Sequence, residues 1–416
     1  MAATRTLLTR STLGILLAVV SLSMSPRGDA QDIMLPDPNY QPRVKKPKPK
    51  RDVIPAGPQE PPTFSIAVAP LGFGSPSTTY LGRHYSLISL DFLDEDRLLF
   101  SFRAPGLLER ETSEPAGDRQ MKAVVLKIPD GSVESQTVWT LSDRSRYLWM
   151  LQNGHFLLRD REGLKIGDAS LRSKPLLGLS GEFQDLKIDP DSKVAVVRTL
   201  EAASSMPNAP VKIVNRVVRL ESGQVEAVDS SSVSELPINS EGFLSIAHDN
   251  KYDQWSLKLT TFGDDTRILG HIRSNCAPSA ALLAEQLILL SGCNSNHIPT
   301  LKAVSTSGLV AWEAETPVDF IAPLLVPTAY GSRFLRESIV FRKTPSIGSE
   351  MLWVKAVSGQ VVRVFNTATG KVALEIPIKP ILDAGGNAAI SPSGRRIAVL
   401  NGGAIQVYEL PAPPVN

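Results

Sequence analysis

The chain has 416 residues, with 44 Lys and Arg against 42 Asp and Glu. So near a balance excludes the strong basic field that general nucleic-acid binding requires. The length exceeds what one compact core ordinarily holds unless the fold is a repeat or a large β structure, and 29 Gly and 32 Pro provide for many turns.

The N-terminus reads as an export signal. Arg5 and Arg10 precede an apolar run, Leu13 to Val20, continued by Leu22 and Met24, and the small residues of "GDA" (28–30) predict cleavage after Ala30. The run is roughly 12 residues, short of the ~20 that span a bilayer; an anchor retained without cleavage is the second reading. No Cys stands near the cleavage point, which speaks against a lipoprotein anchor, and no later stretch is apolar enough to span. An exported mature chain is expected, periplasmic or extracellular, soluble and in an oxidising compartment.

Residues 31–62, "QDIMLPDPNYQPRVKKPKPKRDVIPAGPQEPP", are dense in Pro and carry no apolar periodicity. They predict a disordered tether. Its "RVKKPKPKR" could touch anionic lipid or cell-wall polymers; a solvated spacer is the plainer reading. Nine basic and five acidic residues lie at or before residue 62, leaving 35 and 37 beyond it, so the folded part is close to neutral.

From residue 63 to about 412 the apolar runs are four to eight residues long, rich in Val, Ile and Leu, and broken by polar turns. One hairpin class comprises "SLISLDFLDEDRLLFSF" (86–102), "YLWMLQNGHFLLRD" (147–160), "FQDLKIDPDSKVAVVRT" (183–199) and "AAISPSGRRIAVL" (388–400), with weaker versions near 239–242, 284–285 and 331–338. A second class interleaves with it: "KAVVLKIPDGSVESQTVWTL" (122–141), "RVVRLESGQVEAV" (216–228), "LKAVSTSGLVAWEA" (301–314) and "VRVFNTATGKVALEIPI" (362–378). Gly supplies the positive φ these turns need, and Asp, Asn and Ser accept backbone hydrogen bonds locally. The first class recurs every roughly 50 residues, so each period holds two hairpins and four strands, the pattern of β-propeller blades. One small twisted sheet cannot bury both faces; sheets stacked around an axis can.

"SPSGRRIAVLNGGAIQVYEL" resembles the "SPDG-R-LA…D--I-VWDL" blade of WD40-like and bacterial YVTN-type propellers, and "VFNTATGKV" resembles their "VWDLATGKV". The likeness is good over 362–411, fair over 86–228 and weak over 235–350. The "WD" pair is replaced by Tyr408-Glu409 and Phe365-Asn366, and the "GH" element does not recur. The resemblance implies an all-β, seven-bladed β-propeller, with six or eight blades as alternatives, and without the Asp-His-Ser/Thr-Trp network of true WD40 blades.

Little in the chain points to catalysis. His84, His155, His248, His271 and His297 show no metal spacing, and with two Cys no zinc pattern arises; turn or surface roles are expected. There is no G-x-S-x-G elbow. "PLGFGSP" (70–76) lacks the Lys-Ser/Thr of a phosphate loop, and "DEDR" (94–97) and "DPDS" (189–192) read as turn-capping Asp rather than calcium loops. Trp139, Trp149, Trp255, Trp312 and Trp353 fall in strand patterns and read as packing. The chain reaches its end with the propeller, with no appended catalytic domain expected.

In propellers, the connections after each second strand and before each first strand open on one rim. Here these include 103–120, 142–146, 200–210 and 294–299, and long loops on a rigid scaffold are where binding usually lives. Arg103, Arg110, Arg144, Arg273 and His297 are the candidate contact residues; solvated loops without a ligand are the other reading. The function expected is a non-catalytic, monomeric platform for a protein, ligand or envelope component, without cofactor. The alternative is a channel enzyme of the quinoprotein or lyase kind, although the adjacent cysteines common at such quinone sites are absent.

Two structural expectations complete the reading. Cys276 and Cys293 flank a hairpin drawn with Ala284-Glu285 at its tip, which sets them directly opposite with Cα atoms roughly 4.5 Å apart and within disulfide reach. The last blade has only three strands in "NAAI", "RRIAVL" and "AIQVYEL", whereas "TFSIAVAPL" (63–71) is a strand without a hairpin partner. It is expected to pair antiparallel with 404–410 and close the ring.

Overall fold

The structure, a computed structural model, describes residues 57–74, 81–82, 88–104, 118–141, 146–202, 211–229, 237–249, 254–316, 320–341, 357–379, 382–383 and 386–413. Their strands build seven antiparallel sheets, the blades of a β-propeller, and one short parallel pair of Leu81–Gly82 with Leu382–Asp383. No helix among the described residues is long and apolar enough to cross a membrane.

Each complete blade runs through strands A to D in hydrogen-bonded order. Blade 1 comprises Ile88–Phe92, Arg97–Ala104, Arg119–Lys127 and Val133–Leu141. Blade 2 comprises Leu148–Met150, Phe156–Arg159, Gly163–Gly167 and Ser173–Gly178; blade 3 comprises Glu182–Ile188, Val194–Ala202, Val211–Arg219 and Val225–Asp229. Blade 5 comprises Ser279–Ala284, Leu287–Cys293, Pro299–Ser305 and Val310–Glu315; blade 6 comprises Phe320–Pro327, Arg333–Phe341, Val357–Asn366 and Val372–Ile378. The first hairpin class of the sequence is thus the A–B hairpin, and the second class is the C–D hairpin.

Blade 4 shows three strands: Gly242–Asp249, Gln254–Thr261 and Thr266–Ile272. They are its B, C and D strands, because the A–B turn lies just before them. There Asn239 Oδ1 accepts from the amides of Glu241 (3.0 Å) and Gly242 (2.9 Å), and Ile238 bridges Phe243 antiparallel. Residues 230–236, which precede this turn, lie outside the described residues.

Blade 7 comprises Ala388–Ile390, Arg396–Asn401 and Ala404–Glu409, and its D strand is Phe64–Ala67 from the start of the folded chain. The register pairs Phe64 with Val407, Ser65 with Gln406, Ile66 with Ile405 and Ala67 with Ala404, as the unpartnered sequence strand requires. Val68 ends the pairing, and Ala69–Leu71 turn as a short 3₁₀ helix closed by Gly72 at φ 89°. An unpaired Ala404–Glu409 edge would offer its backbone groups to another chain; the returning strand satisfies them.

The core lies between the blades. Among the described residues, seven separate buried apolar clusters occur, one at each blade–blade interface. The cluster between blades 7 and 1 includes Ile66, Phe73, Phe100, Phe102, Leu400 and Val407. Phe73 meets Phe100 and Phe102 edge-on, with centroids 5.4 and 5.3 Å apart. This cluster therefore joins residues from both ends of the folded chain. Trp139, Trp149, Trp255 and Trp312 lie in strands and pack against such clusters; Trp353 lies outside the described residues.

One expectation is corrected. The A–B hairpin of blade 5 turns at Glu285-Gln286, not at Ala284-Glu285, because a bulge between Leu282 and Ala284 adds a residue to the first strand. Ladder partners are consequently shifted by one, and the cysteines are not directly opposite. They are still joined, with Cα atoms 5.5 Å apart, just beyond the ladder where Asn275 N donates to Cys293 O. The end of the expected tether, Gly57 to Pro62, is described and runs along blade 6: Glu375 N donates to Pro58 O at 2.8 Å, and Gly57 N donates to Glu375 Oε2 at 3.3 Å.

Candidate binding face

Antiparallel order puts the A–B and C–D turns on one face of the ring and the B–C and D–A connections on the other. A strands of neighbouring blades meet around the axis, so the A–B turns surround one mouth of the channel.

Hydrogen bonds tie the turns around that mouth to one another. Gln152 of blade 2 donates from Nε2 to Pro190 O of blade 3 (2.9 Å) and to Ala329 O of blade 6 (3.3 Å), so one side chain ties turns across the axis. Its backbone amide donates to Ser192 Oγ (3.1 Å). Glu285 of blade 5 accepts from the amide (3.0 Å) and hydroxyl (2.8 Å) of Ser240 in blade 4. Arg333 of blade 6 donates from Nη1 to Gly394 O of blade 7 (2.7 Å). Glu95 of blade 1 accepts from Ser393 of blade 7. The Asp residues of "DEDR" and "DPDS" are turn caps as expected: Asp94 Oδ1 accepts from Asp96 N, and Asp189 Oδ1 accepts from Lys193 N and Val194 N.

The opposite face carries arginines stacked on aromatic rings along blades 1 to 3. Arg119, at the start of strand C in blade 1, sets its guanidinium 5.4 Å from the ring centroid of Tyr147, whose hydroxyl lies 2.7 Å from Ser101 Oγ. Arg146, in the connection from blade 1 to blade 2, lies 5.3 Å from the Trp149 ring and donates from Nε to Leu148 O (2.9 Å). Arg159, at the end of strand B in blade 2, lies 4.6 Å from the Phe183 ring of blade 3 and donates from Nε to Arg146 O (3.2 Å). A cation over a π face is attracted by the ring quadrupole. Arg119 and Arg159 are buried and Arg146 is exposed, which makes Arg146 the accessible member of the series.

Of the residues singled out in the sequence, Arg103 is half-buried near the end of strand B in blade 1. Arg273 is exposed in the connection from blade 4 to blade 5, and His297 is exposed in the B–C turn of blade 5. Arg110 and Arg144 lie outside the described residues. The three described residues share the open face but not one cluster: Arg103 belongs to blade 1, and the other two to blades 4 and 5. Arg119, Arg146 and Arg159 escaped the sequence reading. Their trace in the sequence was an Arg at strand ends in "DRQM", "SRYLW" and "LLRD".

The disulfide is on this face too. It links the entrance of blade 5 to the end of its strand B, and Ser274, two residues before the first cysteine, bridges its two ends, accepting from Cys293 N (2.9 Å) and donating to Cys276 O (2.7 Å). Asn294 shapes the adjoining turn, accepting at Oδ1 from Asn296 N and Ile298 N and donating from Nδ2 to Glu315 Oε1 (2.7 Å). His297 adopts φ 57° at the tip of this turn.

No family model matches the chain, and no curated protein matches it. Many solved chains are similar in structure. The β-propeller domain of the Trilobed protease from Pyrococcus furiosus, described as having an open velcro topology, is 10% identical, with a TM-score of 0.45, 76% of this chain covered and 90% of that one. An acylaminoacyl peptidase from Pyrococcus horikoshii is 11% identical, with a TM-score of 0.45, over 77% of this chain and 50% of that one. A chain of the Mitotic Checkpoint Complex is 12% identical, with a TM-score of 0.42, over 85% of this chain and 96% of that one.

Proposed function

We propose that this chain is an exported, non-catalytic β-propeller of the YVTN-like kind that serves as a platform for a protein or ligand partner, in the periplasm or outside the cell. One observation carries the reading: the A–B turns around one mouth of the channel spend their hydrogen bonds on one another, while the other face presents arginines set over aromatic rings. A partner would engage that open face. Arg146 offers it an exposed cation, and Arg103, Arg110, Arg144, Arg273 and His297 stand as further contacts. The disulfide and the apolar N-terminal run support export.

The test is capture from envelope extract with the chain lacking residues 1–30, beside an Arg146→Glu variant of equal melting temperature. A partner held by the first and lost by the second is expected. Equal capture by both would move recognition away from this face. Turnover on a substrate panel with no stable partner would overturn the platform reading.

A further inference from the structure

Blade 6 carries an arginine where most other blades carry core. In strand B of each blade, alternate residues face the preceding blade. The second of them is Phe100 in blade 1, Leu158 in blade 2, Val197 in blade 3, Leu290 in blade 5 and Val399 in blade 7, each buried in the cluster shared with the preceding blade. Blade 4 has Ser245 at this place, two residues beyond Phe243. Blade 6 has Arg336, two residues beyond Phe334. Phe334 lies in the cluster between blades 5 and 6, so Arg336 is on the side of blade 6 that faces blade 5.

The ladder sets a second arginine beside it. Phe334 pairs with Phe365 and Arg336 with Arg363, with no bulge between them, so the two arginines are direct cross-strand partners on one face. Such partners hold their Cβ atoms about 4.5–5.5 Å apart, and like charges there repel. The next residue across the ladder is Glu375 of strand D. Its Oε2 is spent on Arg363 Nε at 2.7 Å and on the amide of Gly57 at 3.3 Å. On the other side, Arg336 pairs in register with Leu325 of strand A. Among the described residues nothing accepts a hydrogen bond from the Arg336 guanidinium, and no carboxylate acts on it.

Arg336 is half-buried, and an arginine does not shed its charge as a buried lysine does. Burial, and then the like charge of Arg363, pull it down to about 10, so it remains a cation at neutral pH. A charge withdrawn from water without a counter-charge is costly. We propose that Arg336, backed by Arg363, is a binding site for a small tetrahedral oxyanion of the phosphate or sulfate kind, in the interface between blades 5 and 6. The guanidinium fork takes two oxygens of such an ion. A tetrahedral ion keeps further oxygens for Arg363, which a carboxylate does not. Its charge turns the repulsion between the two arginines into shared attraction, and the solvent-facing part of Arg336 gives it a way in.

The full chain is dialysed into chloride and melted with and without sodium phosphate, sulfate or acetate at matched ionic strength, beside Arg336→Leu and Arg336→Lys. With phosphate or sulfate at about 10 mM the wild type should melt roughly 1–4 °C higher. Arg336→Leu restores the apolar residue of the other blades; it should melt at or above the wild type in chloride and gain nothing from either ion. Arg336→Lys keeps the charge without the fork and should gain less than the wild type. Titration calorimetry with inorganic phosphate should find a site in the wild type that Arg336→Leu lacks. An equal gain in the wild type and Arg336→Leu would be a general salt effect and would overturn the site. So would a wild type that gains nothing and binds no phosphate, or one that gains as much from acetate.

Discussion

Glu95 accepts two hydrogen bonds from Ser393, a residue 298 positions away: Ser393 N donates to Oε1 at 2.6 Å, and Ser393 Oγ donates to Oε2 at 2.8 Å. Arg396 donates to Asp96 Oδ1 in the same turn at 2.9 Å. These bonds fasten blade 7 to blade 1 on the face of the A–B turns, at the seam of the ring. Hydrogen bonds to a charged acceptor contribute about 1.5–3 kcal/mol. Glu95→Ala and Ser393→Ala should each destabilise the ring, and the double variant should cost less than their sum. A double-mutant cycle in urea measures the coupling, expected at about 1–2 kcal/mol.

The strand that completes blade 7 should matter far more than the segment before it. Removing residues 31–56 should leave the melting temperature nearly unchanged. Extending the deletion to residue 62 takes away the Pro58–Glu375 bond and should lower it slightly. Extending it through Leu71 removes the whole closing strand, with about five backbone hydrogen bonds of about 1 kcal/mol net each, and empties the Ile66 place in the core. A sharp fall in melting temperature and aggregation through the freed Ala404–Glu409 edge are expected, read by calorimetry and light scattering.

The disulfide closes a loop with a sequence separation of 17. In the chain-entropy model such a loop contributes about 3 kcal/mol. Native, non-reduced protein should show no titratable thiol, and the Cys276→Ser, Cys293→Ser double variant should lose about that stability in denaturant unfolding.

Acid should act on blade 3 through Glu201. Burial raises the Glu201 carboxyl, but hydrogen bonds from Arg216, Thr199 and Ser180 outweigh it and hold the group below its ordinary value. Its contribution to stability is complete above pH ~4.5 and is lost as pH falls through the lower folded value. Glu201→Gln should therefore flatten the acid limb of the stability profile below pH 4.5. Loss of stability of the same size at pH 7 and at pH 3 would remove Glu201 from that limb.

What could be read in the sequence were the features with local causes. Asp-Gly, Ser-Gly and Thr-Gly turns impose their own backbone geometry, so both hairpin classes and their alternation were visible without tertiary information. Gly370 in "TATG" is an instance: it holds φ 66° with its Cα against Trp312, where a Cβ would stand 2.6 Å from the ring. The closing strand was visible for a simple reason too, since "TFSIAVAPL" had no neighbour in sequence to pair with. The missed features were set by contacts between blades. Arg159 reads as an ordinary strand-end charge until the ring brings Phe183 of the next blade beneath it. Gln152 reads as an ordinary turn residue until the convergence of turns around the axis brings Pro190 and Ala329 to its side-chain amide. The blade 5 hairpin was drawn one residue out of register because "LLAEQL" does not mark its bulge with Gly or Pro. Composition showed that residues 57–62 build no core, and it was silent on whether they could lie along a sheet edge.

The closing strand also has a kinetic consequence. A chain is made from its N-terminus, so Phe64–Ala67 exists from the outset, yet its slot beside Ala404–Glu409 is the last part of the propeller to be synthesised. In a free chain, bringing ends so distant together would cost only about 0.6 kcal/mol more for each doubling of the loop. Once six blades have stacked, even that search shrinks, because their curvature has already returned the chain to its beginning. The waiting strand is itself short, and its exposed residues outnumber its buried ones, with Ile66 the buried member. A waiting segment of that kind gives a half-made ring little to aggregate through, so the seam can remain open until the final blade arrives.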